Sequence, residues 1–450
     1  MKNSNLLKRF IQFNTVTSKS NANLAYEVGR VLRRGGFRVT YQKEKIKGQL
    51  FVNVIGLKGG SGGHMGPPLL LCSHLDTVSA GHLEKWTKTG GNPWKAAVRG
   101  GRLYGLGAAD DKGPLAAMLE AALNFPQAKL KRPLVVMGTY GEESGMGGAK
   151  LFTRSWKGPK PCMAIVGEPT NLGITYRHKG VGVIEIELLF PRDAGAKRAP
   201  SPQKMVFMGR SGHSSRPWLG DNALDKAARF LKSVSRRGGT ARRPCIASLD
   251  GGHAANIIPD KAVVVLTNAP AFPADAFLDC YDAVQSLVKK MQKRKDASFH
   301  PQTLTSNFGI AETDKNTLKL TFDFRLLPGQ STQRIFTVLK KQLAKKISNY
   351  PGLRFKIKIE RDNPPLVADR EDPLPQLACR LLRENNLPAE MSVKPACTEA
   401  GIYAAWGVPA VIFGPGRSES NIHAPNECIE IGQIRKAVKF YSSVIRKVCF

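Results

Sequence analysis

His74 and Asp76 stand two residues apart at the end of an apolar run, Leu69–Ser73, and three further runs of the same kind lead into residues that bind metals. Leu134–Tyr140 opens onto Gly141-Glu142-Glu143, Met163–Gly167 onto Glu168, and Ala410–Phe413 passes through a Gly-Pro-Gly turn to His423. Asp110 and Asp111 precede a segment, Lys112-Gly113-Pro114, that reads as the start of a helix. Two histidines among several carboxylates suit Zn²⁺ or a similar divalent ion. A carboxylate can also bridge two such ions, as two-metal hydrolysis requires. Each residue alone has an ordinary reading. His74 and Asp76 could be a surface pair, Glu142-Glu143 an exposed acidic pair, and Glu168 a helix-start residue. Asp110-Asp111 could be a loop or cap pair, and His423 a loop histidine. Their joint arrival at the ends of apolar runs points to one metal site.

Short, continuous apolar runs read as strands buried on both faces of a mostly parallel sheet. Asn5–Phe13 and Ala22–Gly35 carry helical spacing. A helix from Lys112 to Asn124 places Leu115, Met118, Leu119, Ala122 and Leu123 on one face, with proline in its first turn. Open α/β sheets set their sites at the carboxyl ends of the strands, so all these residues could converge on one rim. From about Gly173 the texture changes. Ile174–Phe190 alternates like one long strand, and Pro191–Lys204 reads as a hairpin loop. Helices at Asp221–Ser235 and Thr332–Lys346 intersperse with strands at Val263–Thr267, Leu318–Leu326 and Phe355–Glu360. Pro273–Lys295 reads as an extra helix of no evident purpose. The expected architecture is α/β: a catalytic domain of residues 1–173 and 364–450, interrupted by an inserted α+β domain over residues 174–363.

At 450 residues the chain exceeds what one core usually serves. No apolar run approaches the roughly 20 residues needed to span a bilayer. Met1–Ser20 lacks the apolar stretch and cleavage site of a signal peptide. The eight cysteines are scattered without a C-x-x-C pair, so neither a disulfide framework nor a zinc ribbon is expected. A cytoplasmic protein is the reading that fits. Lys plus Arg is 68 against 35 Asp plus Glu, a net charge of +33. Basic clusters at Lys129–Arg132, Arg236–Arg243 and Lys289–Lys295 are not interleaved with aromatics, as single-strand binding would require. A solvated basic surface is expected rather than a nucleic-acid site.

The segments SHLDTV (Ser73–Val78), GAADDKGPLAAM (Gly107–Met118), GEES (Gly141–Ser144), VGEPT (Val166–Thr170) and NIHAPNE (Asn421–Glu427) resemble a known family in order and separation. It is the metallopeptidase family of acetylornithine deacetylase, succinyl-diaminopimelate desuccinylase, aminoacylase and glutamate carboxypeptidase. The resemblance implies two divalent ions, zinc first, with cobalt or manganese accepting similar ligands. His74 and Glu168 would bind one, Glu143 and His423 the other, and Asp110 would bridge them. It implies Asp76 as the residue that orients His74, a cis peptide between Asp110 and Asp111, and Glu142 as general base. The inserted domain resembles the family's ferredoxin-like dimerisation lid, which implies a homodimer. Within it, GRSGHSSRP (Gly209–Pro217) places His213 where the family's oxyanion histidine stands. RLLPG (Arg325–Gly329) places Arg325 where a substrate carboxylate is held, and Asn256 of NIIP would line the cleft. Their ordinary readings are a turn histidine and an exposed strand end.

The expected activity is hydrolysis of the amide bond of a small N-acyl amino acid. CTEAG (Cys397–Gly401) with GPG (Gly414–Gly416) resembles acetylornithine deacetylase, whereas SRPWLGDNA (Ser215–Ala223) resembles the wider group, desuccinylases included. The positive charge would favour an acidic acyl group. A dipeptidase or carboxypeptidase of the same family is the alternative, and a non-catalytic binding protein on this fold is the alternative of another class.

Overall fold

The computed structural model describes residues 5–59, 66–125, 130–190, 202–237, 245–267 and 271–450. The chain forms two compact units, one of residues 1–178, 366–394 and 398–450, the other of residues 179–365 and 395–397.

In the first unit, eight strands form one sheet in the order Arg38–Ile46, Gln49–Lys58, Leu134–Thr139, Leu69–His74, Met163–Val166, Ala410–Ile412, Ile174–His178 and Met391–Lys394. The four central strands run parallel, and an antiparallel hairpin, Arg38–Lys58, adds to one side. Leu69, Leu70, Leu71 and Cys72 are all buried, because helices cover both faces of a parallel sheet. Burying each leucine contributes about 1.5–3 kcal/mol. The Lys112–Leu123 helix is buried nearly all round, not on one face alone. Its alanines let it pack closely between the sheet and the C-terminal helix Ile431–Cys449. Among the described residues no helix is long and apolar enough to cross a membrane.

The expected long strand Ile174–Phe190 is two strands, Ile174–His178 and Gly180–Leu189. The first pairs in the sheet of the first unit and the second in that of the second. Alternation continues through Lys179, so period alone could not show the change of sheet.

The second unit holds an antiparallel sheet ordered Gln203–Met208, Lys261–Thr267, Cys245–Gly251, Thr305–Asp314, Thr317–Leu326, Gly180–Leu189 and Arg354–Asn363. Of the expected Pro191–Lys204 loop, residues 191–201 lie outside the described residues, and Lys204 is already in a strand. Part of the Arg236–Arg243 cluster lies outside them as well. One pattern occurs twice here. The hairpin of Cys245–Gly251 and Lys261–Thr267 is followed by the helix Ala274–Met291. The hairpin of Thr305–Asp314 and Thr317–Leu326 is followed by the helix Thr332–Ile347. The first strands of the two hairpins meet antiparallel, with Gly251 opposite Ala311. The two helices pack together, joined by Lys346 to Asp279 at 2.5 Å and by the Tyr350 hydroxyl to Asp279 at 2.8 Å. The extra helix that the sequence left without a purpose thus packs against the Thr332–Ile347 helix and, through Phe277 and Tyr281, against Phe308. Phe308 stacks on Phe322 at 4.7 Å and lies 6.3 Å from Phe277 and 6.0 Å from Tyr281, so aromatic rings join the two repeats.

Candidate metal centre

Parallel strands all end on one side, and the first unit uses this. His74 ends its strand, the turn after Leu134–Thr139 carries Glu142 and Glu143, and Glu168 follows Met163–Val166. His423 arrives from the loop after Ala410–Ile412 with a left-handed backbone, φ 57°. Asp110 lies between the two histidines. Its Oδ1 is 3.1 Å from Nε2 of His74, and its Oδ2 is 3.1 Å from Nε2 of His423. Nε2 of His423 is also 3.0 Å from Oε1 of Glu143. The peptide between Asp110 and Asp111 is cis, as the resemblance implies.

Among the described residues, three groups of side chains bring donor atoms close enough to share a cation: Asp110, Glu143 and His423; His74, Asp110 and Asp111; and His74, Glu142 and Glu143. Glu168 belongs to none of these groups. Its carboxylate is 3.9 Å from the Lys394 ammonium.

Backbone amides hold the acidic residues in place. The Asp76 carboxylate accepts from the amides of Glu142 and Glu143, both at 3.1 Å. It therefore sits 3.7 Å from Nδ1 of His74, and that ring nitrogen meets the Asp76 carbonyl oxygen instead, at 2.9 Å. Asp76 orients His74 through its backbone and the glutamates through its side chain. The Asp111 carboxylate accepts from the Ser73 hydroxyl and the His74 amide.

Three further residues were not singled out by the sequence. Glu427 accepts from the amides of Gly107, Ala109 and Asp110 at 2.8–3.0 Å, holding the loop that carries Asp110. Glu399 accepts from the Thr139 hydroxyl at 2.8 Å and from the Cys72 thiol. Lys394 is the third. Glu427 and Glu399 sit inside quoted motifs, and only Glu399 carried a signal there, a carboxylate among small residues.

The electrostatics are those of crowded carboxylates. Burial, then the charges of Glu168 and Glu143, hold the Glu142 carboxyl well above its usual range. Burial and the nearby Asp110 push Glu168 up to about 7, against the pull of Lys394. Burial would lower both histidines. Hydrogen bonds to Asp110 overcome it at His74, and Asp110 with Glu143 pushes His423 up to about 11. The same two histidines hold Asp110 well below the carboxylate range despite its burial. Such a set of acceptors calls for concentrated positive charge. Divalent cations between Asp110 and each imidazole fit the donor types and the two-sided position of Asp110.

The remaining candidates gather around one serine in the second unit. The Ser214 amide donates to the Asn256 carbonyl at 2.9 Å, and its hydroxyl donates to Asp323 at 2.9 Å. Arg325 is buried, not an exposed strand end; it donates to Asp323 at 2.9 Å and to the Ser214 hydroxyl at 3.0 Å. His213 is exposed, with Nδ1 2.7 Å from the Ser215 hydroxyl. A cavity at the starting ends of the first unit's strands, lined by Cys162, Met163, Pro409 and Ala410, holds none of the candidate ligands.

Comparison with known proteins agrees with this geometry. An aminoacylhistidine dipeptidase from Vibrio alginolyticus superposes with a TM-score of 0.65 at 17% identity, over 99% of this chain and 98% of that one. An M20 metallo-carboxypeptidase from Sulfolobus solfataricus gives 0.62 at 19%, over 99% of each. A dinuclear metal-binding M20 peptidase from Bacillus subtilis gives 0.54 at 12%, over 100% and 98%. At these identities the likeness is one of fold. A family model, that of peptidase family M20/M25/M40, matches residues 70–447, a span that holds every candidate ligand, and the chain is a member of this family of metal-dependent hydrolases.

Proposed function

We infer that the protein hydrolyses the amide bond of a small substrate ending in a free amino acid, either a dipeptide or an N-acyl amino acid. The observation that carries this reading is Asp110, set between two histidines with Glu142 alongside. His74, Asp110, Glu143, Glu168 and His423 would hold two divalent ions, zinc first. When bound, these ions lower the pKa of a water and polarise the scissile carbonyl. Glu142 takes the proton from the attacking water and returns it to the leaving amine. Asp76 keeps Glu142 and Glu143 in register through their amides. By the family resemblance, Arg325 with Asn256 would hold the substrate's terminal carboxylate and His213 would stabilise the oxyanion.

Two of the solved structures described above, a dipeptidase and a carboxypeptidase, are named for acting on peptides, which supports the dipeptide form. Lid closure by a homodimer belongs to the same proposal. Amine release from dipeptides and matched N-acetyl and N-succinyl amino acids, measured with zinc, cobalt or manganese and after chelation, tests the reading. Metal-dependent release from one class is expected. No release from a metal-loaded protein would sink it.

A further inference from the structure

Lys394 ends the Met391–Lys394 strand, which lies parallel to Ile174–His178 at the edge of the first sheet. Its side chain is 21% exposed, and Glu168 is the only carboxylate paired with it among the described residues. As long as Glu168 is an unligated carboxylate, the pair needs no explanation. Once Glu168 holds a cation, the ammonium and the cation compete for one carboxylate. Lys394 would then share that carboxylate with a like charge. A lysine on open surface would swing into water, but one anchored at a strand end and four-fifths covered has little room to do so. An anion delivered by the substrate removes the conflict. The chain's charge of +33 draws such anions in.

We propose that Lys394 binds a second carboxylate of the substrate, distinct from the terminal one, and that acidic substrates are therefore preferred. This rests on the amidohydrolase reading above. The carboxylate comes either from the acyl side or from the side chain of the amino acid released.

Two isosteric pairs separate these sources: N-succinyl-alanine against its succinamoyl analogue, and N-acetyl-glutamate against N-acetyl-glutamine. With the metal-loaded enzyme, the acid of one pair should be favoured about tenfold or more in kcat/KM, mainly through KM, as for one charge-assisted hydrogen bond. Lys394→Met should abolish that preference, while Lys394→Arg keeps part of it. No preference in the wild type, or a preference that survives in Lys394→Met, overturns the proposal. Calorimetric titration of succinate into the zinc-loaded proteins gives a readout free of turnover. About tenfold weaker binding to Lys394→Met is expected, and equal affinity overturns the role of Lys394. If neither pair is hydrolysed, the N-acyl form of the hydrolase reading falls, the dipeptide form stands, and the succinate titration alone decides the role of Lys394. Should Lys394→Met fold poorly by circular dichroism, Lys394→Gln takes its place in both assays.

Discussion

In the first unit, residues as far apart in sequence as His74 and His423 meet within hydrogen-bonding distance of Asp110. In the second unit the corresponding polar group, Ser214, Asp323 and Arg325, is enclosed by its own sheet and already pairs within itself. The difference follows from strand direction. A parallel sheet sends every strand's final residues to one edge, so carboxylates accumulate there and raise one another's pKa. An antiparallel sheet alternates its ends, so a polar cluster forms only where a single strand carries it. Thr317–Leu326 does so with Thr321, Asp323 and Arg325. Its counterpart in the other repeat, Lys261–Thr267, presents Val263, Val265 and Thr267 on the equivalent face. Packing repeats in the second unit; polarity does not.

If chemistry resides in the first unit and packing in the second, substitutions should divide cleanly. The largest effect is expected at Glu142. Glu142→Gln removes the base yet keeps the shape, and kcat should fall on the order of 10⁴-fold, equivalent to about 5.5 kcal/mol. Metal content, read by atomic absorption, should stay unchanged. Loss of metal along with activity would make Glu142 a ligand. Next comes Phe308→Ala in the second unit, which opens a cavity between Phe322, Phe277 and Tyr281. It should cost about 3–5 kcal/mol in denaturant unfolding. Zinc affinity measured by calorimetry under native conditions should not move. A parallel loss of zinc affinity would show that the two regions are not energetically separate.

The legibility of the two regions in the sequence differed for the same reason. The central strands of the first unit were readable from continuous apolar runs, because burial on both faces leaves few choices of residue. The residues ending those runs were visible as a group. Glu168 was expected among the ligands, but its pairing with Lys394 depends on a strand more than 200 residues away, which no local pattern carries. The amide contacts of Asp76 and Glu427 were equally hidden, since backbone donors leave no trace in side-chain types. In the second unit the helices and strands were read from their periods. The repeat was missed, because its two copies share burial pattern and order rather than residues. Arg325 was expected to hold a substrate carboxylate, and its pairing with Asp323, two residues away on the same face, left no signal in the sequence.

Lys179, at the start of the second unit, offers a smaller effect that depends on pH. Its ammonium donates to the carbonyls of Pro301 and Thr303 at 2.8 and 2.6 Å. Burial, aided by the Arg325 guanidinium, brings it down from 10.5 to about 8. Between these values the unfolded chain keeps the proton and the folded chain releases it, so the unfolded state binds more protons and stability rises with pH. Below pH 8 both states are charged and the gain is absent. The rise is at most about 3 kcal/mol across the window. Urea unfolding of the wild type and of Lys179→Met at pH 7.5, 9 and 10 isolates it, because other titrating groups cancel in the difference. A constant difference would mean that Lys179 keeps its ordinary pKa in the fold.

The smallest effect compares the two repeats directly. The Thr332–Ile347 helix begins at Ser331, an extended residue whose side chain accepts from the Arg334 amide at 3.2 Å. Its counterpart, Ala274–Met291, begins after Pro273 without a side-chain cap. Both helices lie on the same sheet with comparable apolar faces, Ile335, Leu339 and Leu343 in one and Phe277, Val284 and Val288 in the other. If packing sets the stability of each helix, the cap is a minor addition, and Ser331→Ala should cost about 1 kcal/mol, the usual loss of one capping bond. A loss several times larger would mean that Ser331 does more than cap. The substitution would then have disturbed the adjoining turn, Leu327–Gln330, where the Leu327 amide donates to the Gln330 side chain at 3.0 Å. Hydrogen exchange separates the two outcomes. A lost cap speeds exchange only in the first turn after Ser331, whereas a disturbed turn speeds it back into the strand that carries Asp323 and Arg325.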